Sequence, residues 1–230
     1  MNKSPDPSAL ATQLLQNPLF ADLEPADSRR LTRQAVWRTY DAGAVVCLEG
    51  DPSAGLYVLE SGWLKVVRSA PSGREQVVAF LAPGDTFNEI GALASRPNPA
   101  TAVALEQAGV WLIPSGALLA LQRDNPSFAL HLVQRLAERV LHLVDLVTDL
   151  SLRTLRQRLA RLLLEDAVND TLERPNWYTQ AELAARLGTV PDVVQRALRQ
   201  LSDEGSISVD RRRIVLRDPA ALRAIADSGP

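Results

Sequence analysis

The chain is short of the residues that most often advertise chemistry. Among 230 residues it has one cysteine, two histidines, one methionine and 5% aromatics. A lone Cys47 excludes an internal disulfide and a metal site built from cysteines alone. His131 and His142 stand eleven positions apart. On one helix that is about 16 Å at a rise of about 1.5 Å per residue, too far to share a metal. No apolar run approaches the ~20 residues of a membrane span. The opening MNKSPDPSAL has no apolar stretch of signal-peptide type, so a cytoplasmic protein with no membrane partner is expected. Also missing are a nucleophile elbow, a His-Glu-x-x-His zinc motif, a phosphate loop and a CxxC pair. The carboxylates show no acid/base spacing. No enzyme, catalytic residue or metal site is expected.

Strong net charge is missing too, at −2 overall, so bulk charge announces no nucleic-acid partner. Its distribution says more. Residues 1–150 carry 12 Lys and Arg against 16 Asp and Glu, a balance of −4. Residues 151–230 carry 13 against 11, a balance of +2. Arg186, Arg196, Arg199, Arg211, Arg212, Arg213 and Arg217 crowd into 186–217 against four acids, a local excess that suits a polyanion.

What is present falls into three stretches. Hydrophobic residues make up 46% and charged residues 23%, the balance of a globular chain with real cores. After a helical lead-in from about Ser8 to Gln34, broken near Pro18 and Pro25, the runs AVVCLEGD, GLYVLESG, WLKVVRS and EQVVAFL read as strands. Turn residues at Gly43, Gly50-Asp51-Pro52, Ser61-Gly62, Pro71-Ser72-Gly73 and Pro83-Gly84-Asp85 punctuate them, which predicts an antiparallel sandwich or barrel.

A long helix follows, about 126–150. Ala129, Leu136, Leu143 and Leu150 recur every seven residues, interleaved with Val133, Val140 and Val147. Valine at a and leucine at d favours a parallel two-stranded coil, so Val133, Leu136, Val140, Leu143, Val147 and Leu150 are the expected dimer interface. Leu130, Leu132, Val144 and Leu146 widen the stripe, as a helix packed on its own domain would also require.

The third stretch starts anew at Thr154, with Gln157 at capping-box spacing, leaving 149–153 as a hinge. NDTLERPN reads as a linker. TQAELAARLG opens on Thr179 and Glu182 and closes on Gly188, and a second helix begins at Pro191. Asp192, Gln195, Arg196 and Arg199 share one face of it; Val193, Val194, Ala197, Leu198 and Leu201 share the other. SISVDRRRIVL turns near Asp210-Arg211 as a basic hairpin. Helix, glycine turn, helix and hairpin give a winged helix-turn-helix order. The polar stripe is either a solvated face or the surface that meets base edges. An arginine can donate twice to guanine, and an aspartate can accept from cytosine.

The segments AGAVVCLEGD, GLYVLESGWLKV, APGDTFNEIGAL and TQAELAARLGTVPDVVQRALRQLSDEGSI, in that order, resemble the Crp/Fnr transcription regulators over nearly residues 10–217. The resemblance implies an α+β architecture in three parts. These are an N-terminal double-stranded β-helix (jelly-roll) sensor at 1–124, a long dimerisation helix at 125–150 and a C-terminal winged helix-turn-helix at 151–230. It implies base reading by Asp192, at the family's glutamate position, and Arg196, at its later arginine; helix geometry adds Gln195 as a flanking base contact. Pro191 replaces an arginine-type residue and cannot donate to guanine, so an altered half-site is expected. Backbone contacts fall to Thr179, Gln180, Thr189, Arg199, Arg211, Arg212 and Arg213.

Cyclic-AMP-binding members of that family carry Gly-Glu-Leu-Gly or Ala, then Arg-Ser-Ala or Arg-Thr-Ala, the arginine pairing with the cyclic phosphate. The corresponding effector pocket here is Asn88, Glu89 and Gly91, then Asn98, Pro99 and Thr101. A buried phosphate without its guanidinium loses on the order of 2–5 kcal/mol. Arg96 reaches the place only by a register shift. Cyclic AMP is therefore not expected, no cofactor is predicted, and the effector is unidentified. One cysteine rules out the iron–sulfur type of sensor, and a haem would need His or Cys as axial ligand. The expected protein is a homodimeric regulator that reads a palindromic site on double-stranded DNA, meeting RNA polymerase if it activates. The alternative is a ligand-sensing module with protein output and a degenerate helix-turn-helix.

Overall fold

The computed structural model describes residues 7–228 except Arg74 and Ser95, so the first six residues of the MNKSPDPSAL stretch lie outside the described ones. The chain forms two compact units, one of residues 1–68 and 78–140, the other of residues 69–77 and 141–230. The division runs through the long helix rather than at either of its ends.

The first unit begins with α1 (Pro7–Gln16), a single 3-10 turn (Pro18–Phe20) and α2 (Pro25–Gln34). Pro18 and Pro25 sit at helix starts, where a missing N–H has no partner to lose. Next come β1 (Val36–Tyr40), β2 (Val45–Cys47), β3 (Gly55–Ser61), β4 (Leu64–Ser69), β5 (Glu75–Leu81) and β6 (Thr86–Phe87). α3 (Glu89–Ala94), β7 (Thr101–Ala104), β8 (Ala108–Pro114) and α4 (Ser115–Asp124) complete this part. The strands form two four-stranded sheets, β1-β8-β3-β6 and β2-β7-β4-β5. This is the expected β-roll.

Two cores explain the sequence pattern. Leu56 and Val58 of β3, with Trp111 and Ile113 of β8, pack against Leu10, Leu14, Phe20, Leu31, Leu118 and Leu121 of the helices. Their neighbours Tyr57 and Leu59, Val110 and Leu112 face Cys47, Leu64, Phe87, Ala102 and Ala104 of the other core. Successive side chains point to opposite faces, so strands buried on both sides read as unbroken apolar runs. Cys47 is buried, and that burial pushes its thiol pKa up.

α5 (Pro126–Leu152) packs its first turns on the subunit's own core and leaves the valine stripe open. Phe128 and Leu132 are buried in the helix-side core, Phe128 stacking on Phe20 at 5.6 Å, and Leu136 leans on the same core. Val133, Val140 and Val147 are 63%, 58% and 62% exposed. Leu143 and Leu150 are also open, as are Leu130, Leu141 and Val144.

The second unit continues with α6 (Leu155–Asp166), β9 (Thr171–Glu173), α7 (Gln180–Leu187), α8 (Pro191–Asp203), β10 (Ile207–Val209), β11 (Arg213–Leu216) and α9 (Pro219–Asp227). Thr154 caps α6 with the full capping box: its hydroxyl accepts from Gln157 N–H, and its own N–H donates to Gln157 Oε1 at 2.7 Å. Asp149 ion-pairs with Arg153 at 3.0 Å and Arg161 at 3.6 Å, spanning the break between α5 and α6. One correction concerns the stretch read as a linker. Asn169 and Asp170 take φ of 51° and 58°, the two left-handed residues of a tight hairpin turn. The chain reverses there into β9, which joins the sheet β10-β11-β9.

Candidate nucleic-acid interface

α7 and α8 are set by local chemistry. Thr179 caps α7, its hydroxyl accepting from Glu182 N–H at 3.3 Å. Gly188 ends the helix with φ 68°, the left-handed conformation that glycine adopts without a Cβ clash. Pro191 opens α8 at a position needing no N–H, after Val190, whose side chain supplies no cap. Val194, Ala197, Leu198 and Leu201 are buried, while Asp192, Gln195, Arg196 and Arg199 are exposed on the opposite face. The structure thus brings together the four polar residues that the sequence aligned. Gln180 and Thr189 lie half-buried at the start of α7 and in the turn.

The basic hairpin between β10 and β11 is held by Asp210. Its Oδ1 accepts from the N–H groups of Arg212 (2.8 Å) and Arg213 (2.9 Å), and its Oδ2 accepts from Arg213 Nε at 2.9 Å. The Arg212 N–H and the Arg213 guanidinium hold the Asp210 carboxyl below the usual aspartate range. Arg211, Arg212 and Arg213 are exposed, and the Arg213 guanidinium is engaged by Asp210. Arg217 donates from Nε to Ser208 Oγ at 3.1 Å across the same hairpin.

Arg186 departs from its place in the basic cluster. It forms a two-pronged ion pair with Asp166, Nη2 to Oδ1 at 2.9 Å and Nη1 to Oδ2. Burial pulls its pKa down, Asp166 more than reverses this, and the guanidinium ends above its ordinary value. Burial also pushes the adjoining Tyr178 up to about 12. Arg186 therefore ties α7 to α6, its charge already matched by Asp166. Arg196, Arg199, Arg211, Arg212, Arg213 and Arg217 remain exposed.

In the first unit two of the predicted effector residues, Asn88 and Asn98, are hydrogen-bonded to each other, while Glu89 and Thr101 have partners outside the predicted set. Asn98 is only 4% exposed. Its Oδ1 accepts from Asn88 Nδ2 at 3.0 Å, and its Nδ2 donates to the Leu48 carbonyl at 2.9 Å. Asn88 Nδ2 also reaches Ser53 Oγ (2.9 Å) and the Gly55 carbonyl (3.0 Å), and Asn88 itself has φ 67°. A Cβ on Gly91 would sit 2.7 Å from Asn88 Oδ1 and 3.0 Å from Ser53 Oγ, so a larger residue there would have to displace these side chains. Glu89, buried, accepts from Thr86 Oγ1 at 2.8 Å, and Thr101 Oγ1 accepts from Glu49 N–H at 3.0 Å. Pro99 is exposed.

Sequence reasoning missed Arg68. It is one turn of the β4 alternation beyond Leu64 and Val66, both on the face toward the sheet core. Its Nη1 donates to the Pro99 carbonyl at 2.6 Å and lies 2.9 Å from Glu49 Oε1. The signal was present as the period-two pattern Leu64, Val66, Arg68. Its meaning depended on β7 lying between β2 and β4. Arg96 is exposed. Among the described residues no group of three or more His, Cys, Asp and Glu could hold a metal, and no helix is long and apolar enough to cross a membrane.

Residues 37–125 match the cyclic nucleotide-binding domain family, and residues 157–225 match the Crp-like helix-turn-helix domain family. The chain is 32% identical over 211 residues to the cyclic AMP receptor protein of Thermus thermophilus, covering 91% of this chain and 97% of that one. It is 27% identical over 210 residues to the CRP-like cAMP-activated global transcriptional regulator of Mycobacterium tuberculosis, covering 89% and 94%. The solved structure of FixK2 from Bradyrhizobium japonicum superposes with a TM-score of 0.75 at 25% identity, covering 85% of this chain and 99% of that one. The Mycobacterium tuberculosis relative is named as a transcriptional regulator, and neither curated relative is named as an enzyme.

Proposed function

The chain belongs to the Crp/Fnr family of transcription regulators and carries its DNA-binding helix-turn-helix; from that premise we propose that it acts as a homodimer on a palindromic site. The carrying observation is the exposed polar face of α8, with Asp192, Gln195, Arg196 and Arg199 open while Val194, Ala197, Leu198 and Leu201 opposite are buried. Asp192, Gln195 and Arg196 read base edges; Thr179, Gln180, Thr189, Arg199 and the hairpin arginines hold phosphates. Pro191 cannot donate a hydrogen bond, so the preferred half-site departs from that of members with an arginine there.

The homodimer reading rests on the open stripe Val133, Val140, Leu143, Val147 and Leu150. A parallel pairing through it sets two copies of α8 about one DNA turn apart, roughly 34 Å. The capped break at Thr154 is the hinge at which that spacing changes. As an activator, the dimer also meets RNA polymerase, and its place of work is the cytoplasm.

The effector is not cyclic AMP held in the ordinary way. In support, Asn98 stands where cyclic-AMP-binding members carry the phosphate-pairing arginine, and its amide is spent on Asn88 and Leu48. Selection of bound DNA from a random pool, at two salt concentrations and with and without cell extract, tests the reading. A recovered palindrome bound with a steep salt slope is expected. Weak, sequence-blind binding would instead favour a sensing module with protein output.

A further inference from the structure

We infer that Arg68 is the anion-pairing residue of the sensor domain, and that the domain takes a small effector bearing a phosphate or carboxylate oxyanion there. The inference rests on reading residues 37–125 as a sensor; it does not depend on how α8 reads DNA.

Strand order makes the site. β7 lies between β2 and β4, so residues at the ends of those two neighbours reach over its start from opposite sides. Val67 pairs with Thr101, which sets Arg68 opposite Ala100. Val66 pairs with Ala102 on the core side, and Arg68 shares that parity. From the β2 side, Glu49 donates its N–H to Thr101 Oγ1 and places its carboxylate 2.9 Å from Arg68. The guanidinium thus arrives at the Pro99 carbonyl, in the very segment where the expected arginine is replaced by Asn98 and Pro99.

The pair is built to exchange. A guanidinium has five donors in a planar fork, and among the described residues Nη1 alone is engaged, by Pro99 and Glu49. Glu49 is an oxyanion already seated on that fork, which demonstrates the chemistry the fork accepts. The Arg68 and Glu49 side chains are 56% and 32% exposed, and ion pairs in such surroundings hold weakly. A diffusible oxyanion offering two oxygens can displace the single carboxylate contact. Asn88, Asn98 and Glu89 are occupied by their own partners.

The test is calorimetric titration and thermal shift of the whole protein with three probes: inorganic phosphate, succinate and cyclic AMP. At least one probe should bind. Arg68→Gln should weaken it by about tenfold or more, Arg68→Lys should restore it only in part, and Glu49→Gln should tighten it several-fold. A merely structural Arg68 would lower the ligand-free melting temperature in Arg68→Gln and leave probe affinity unchanged, which overturns the inference. So does the failure of all three probes to bind the native protein at tens of millimolar. Binding of cyclic AMP that requires Arg68 supports this site and refutes the proposal that cyclic AMP is excluded, so the two readings fail separately.

Discussion

Replacing Val140 and Val147 together with alanine should split the proposed dimer without unfolding the subunit. In the lone chain these side chains are 58% and 62% exposed, so little of their burial belongs to the subunit's own core. Each change removes two methyl-sized groups, worth about 0.8 kcal/mol apiece when buried from water. With roughly three-fifths of that burial left for the partner to supply, each site contributes about 1 kcal/mol to association. A two-fold dimer repeats both sites, giving about 4 kcal/mol, or about a thousandfold in the dimer dissociation constant. Alanine has the higher helix propensity, so α5 itself is not weakened. Sedimentation over a concentration series reads the dissociation constant, and circular dichroism checks the helix. An unchanged constant, or a native protein monomeric at every concentration, would refute the claim that this stripe is the seam.

Four further outcomes are expected. Arg196→Ala should cost about 1–3 kcal/mol of specific binding and relax preference at one base position; an equal loss on all sequences in a binding assay would make Arg196 a phosphate contact. Asp166→Ala, which takes the carboxylate from a partly buried guanidinium, should lower the stability of the second unit by about 1–3 kcal/mol in urea unfolding. Asp210 has a depressed folded pKa, so the order it lends the hairpin is present above the unfolded value and lost as pH falls through the folded one. An NMR titration of its carboxyl should show a midpoint below that of exposed aspartates, and Arg213→Ala should raise it. Cys47, with burial raising its pKa, should resist alkylation at neutral pH and react only on unfolding.

Much of this molecule is written in local patterns. The turn residues delimit the strands, the heptads announce α5, and the Thr154–Gln157 and Thr179–Glu182 spacings place the starts of α6 and α7. The alternation of buried and exposed positions on α8 could be read at once, because a helix repeats its environment every 3.6 residues or so. Two local signals were there and passed over: Asn169-Asp170, whose left-handed turn launches β9, and the Leu64, Val66, Arg68 alternation.

Which residues meet is a different question, and only the tertiary structure answered it. Arg186 looks like one more surface cation until α6 brings Asp166 to it. Asn98 looks like a simple loss of an arginine until Asn88 and Leu48 close around its amide. Arg68 and Glu49 become a site because β7 is inserted between their strands. Periodicity and capping act over a turn or two of chain and so leave their mark in the sequence. Strand order and ion pairing join positions far apart along it, and are fixed by which packing buries the most apolar surface while satisfying the polar groups within it.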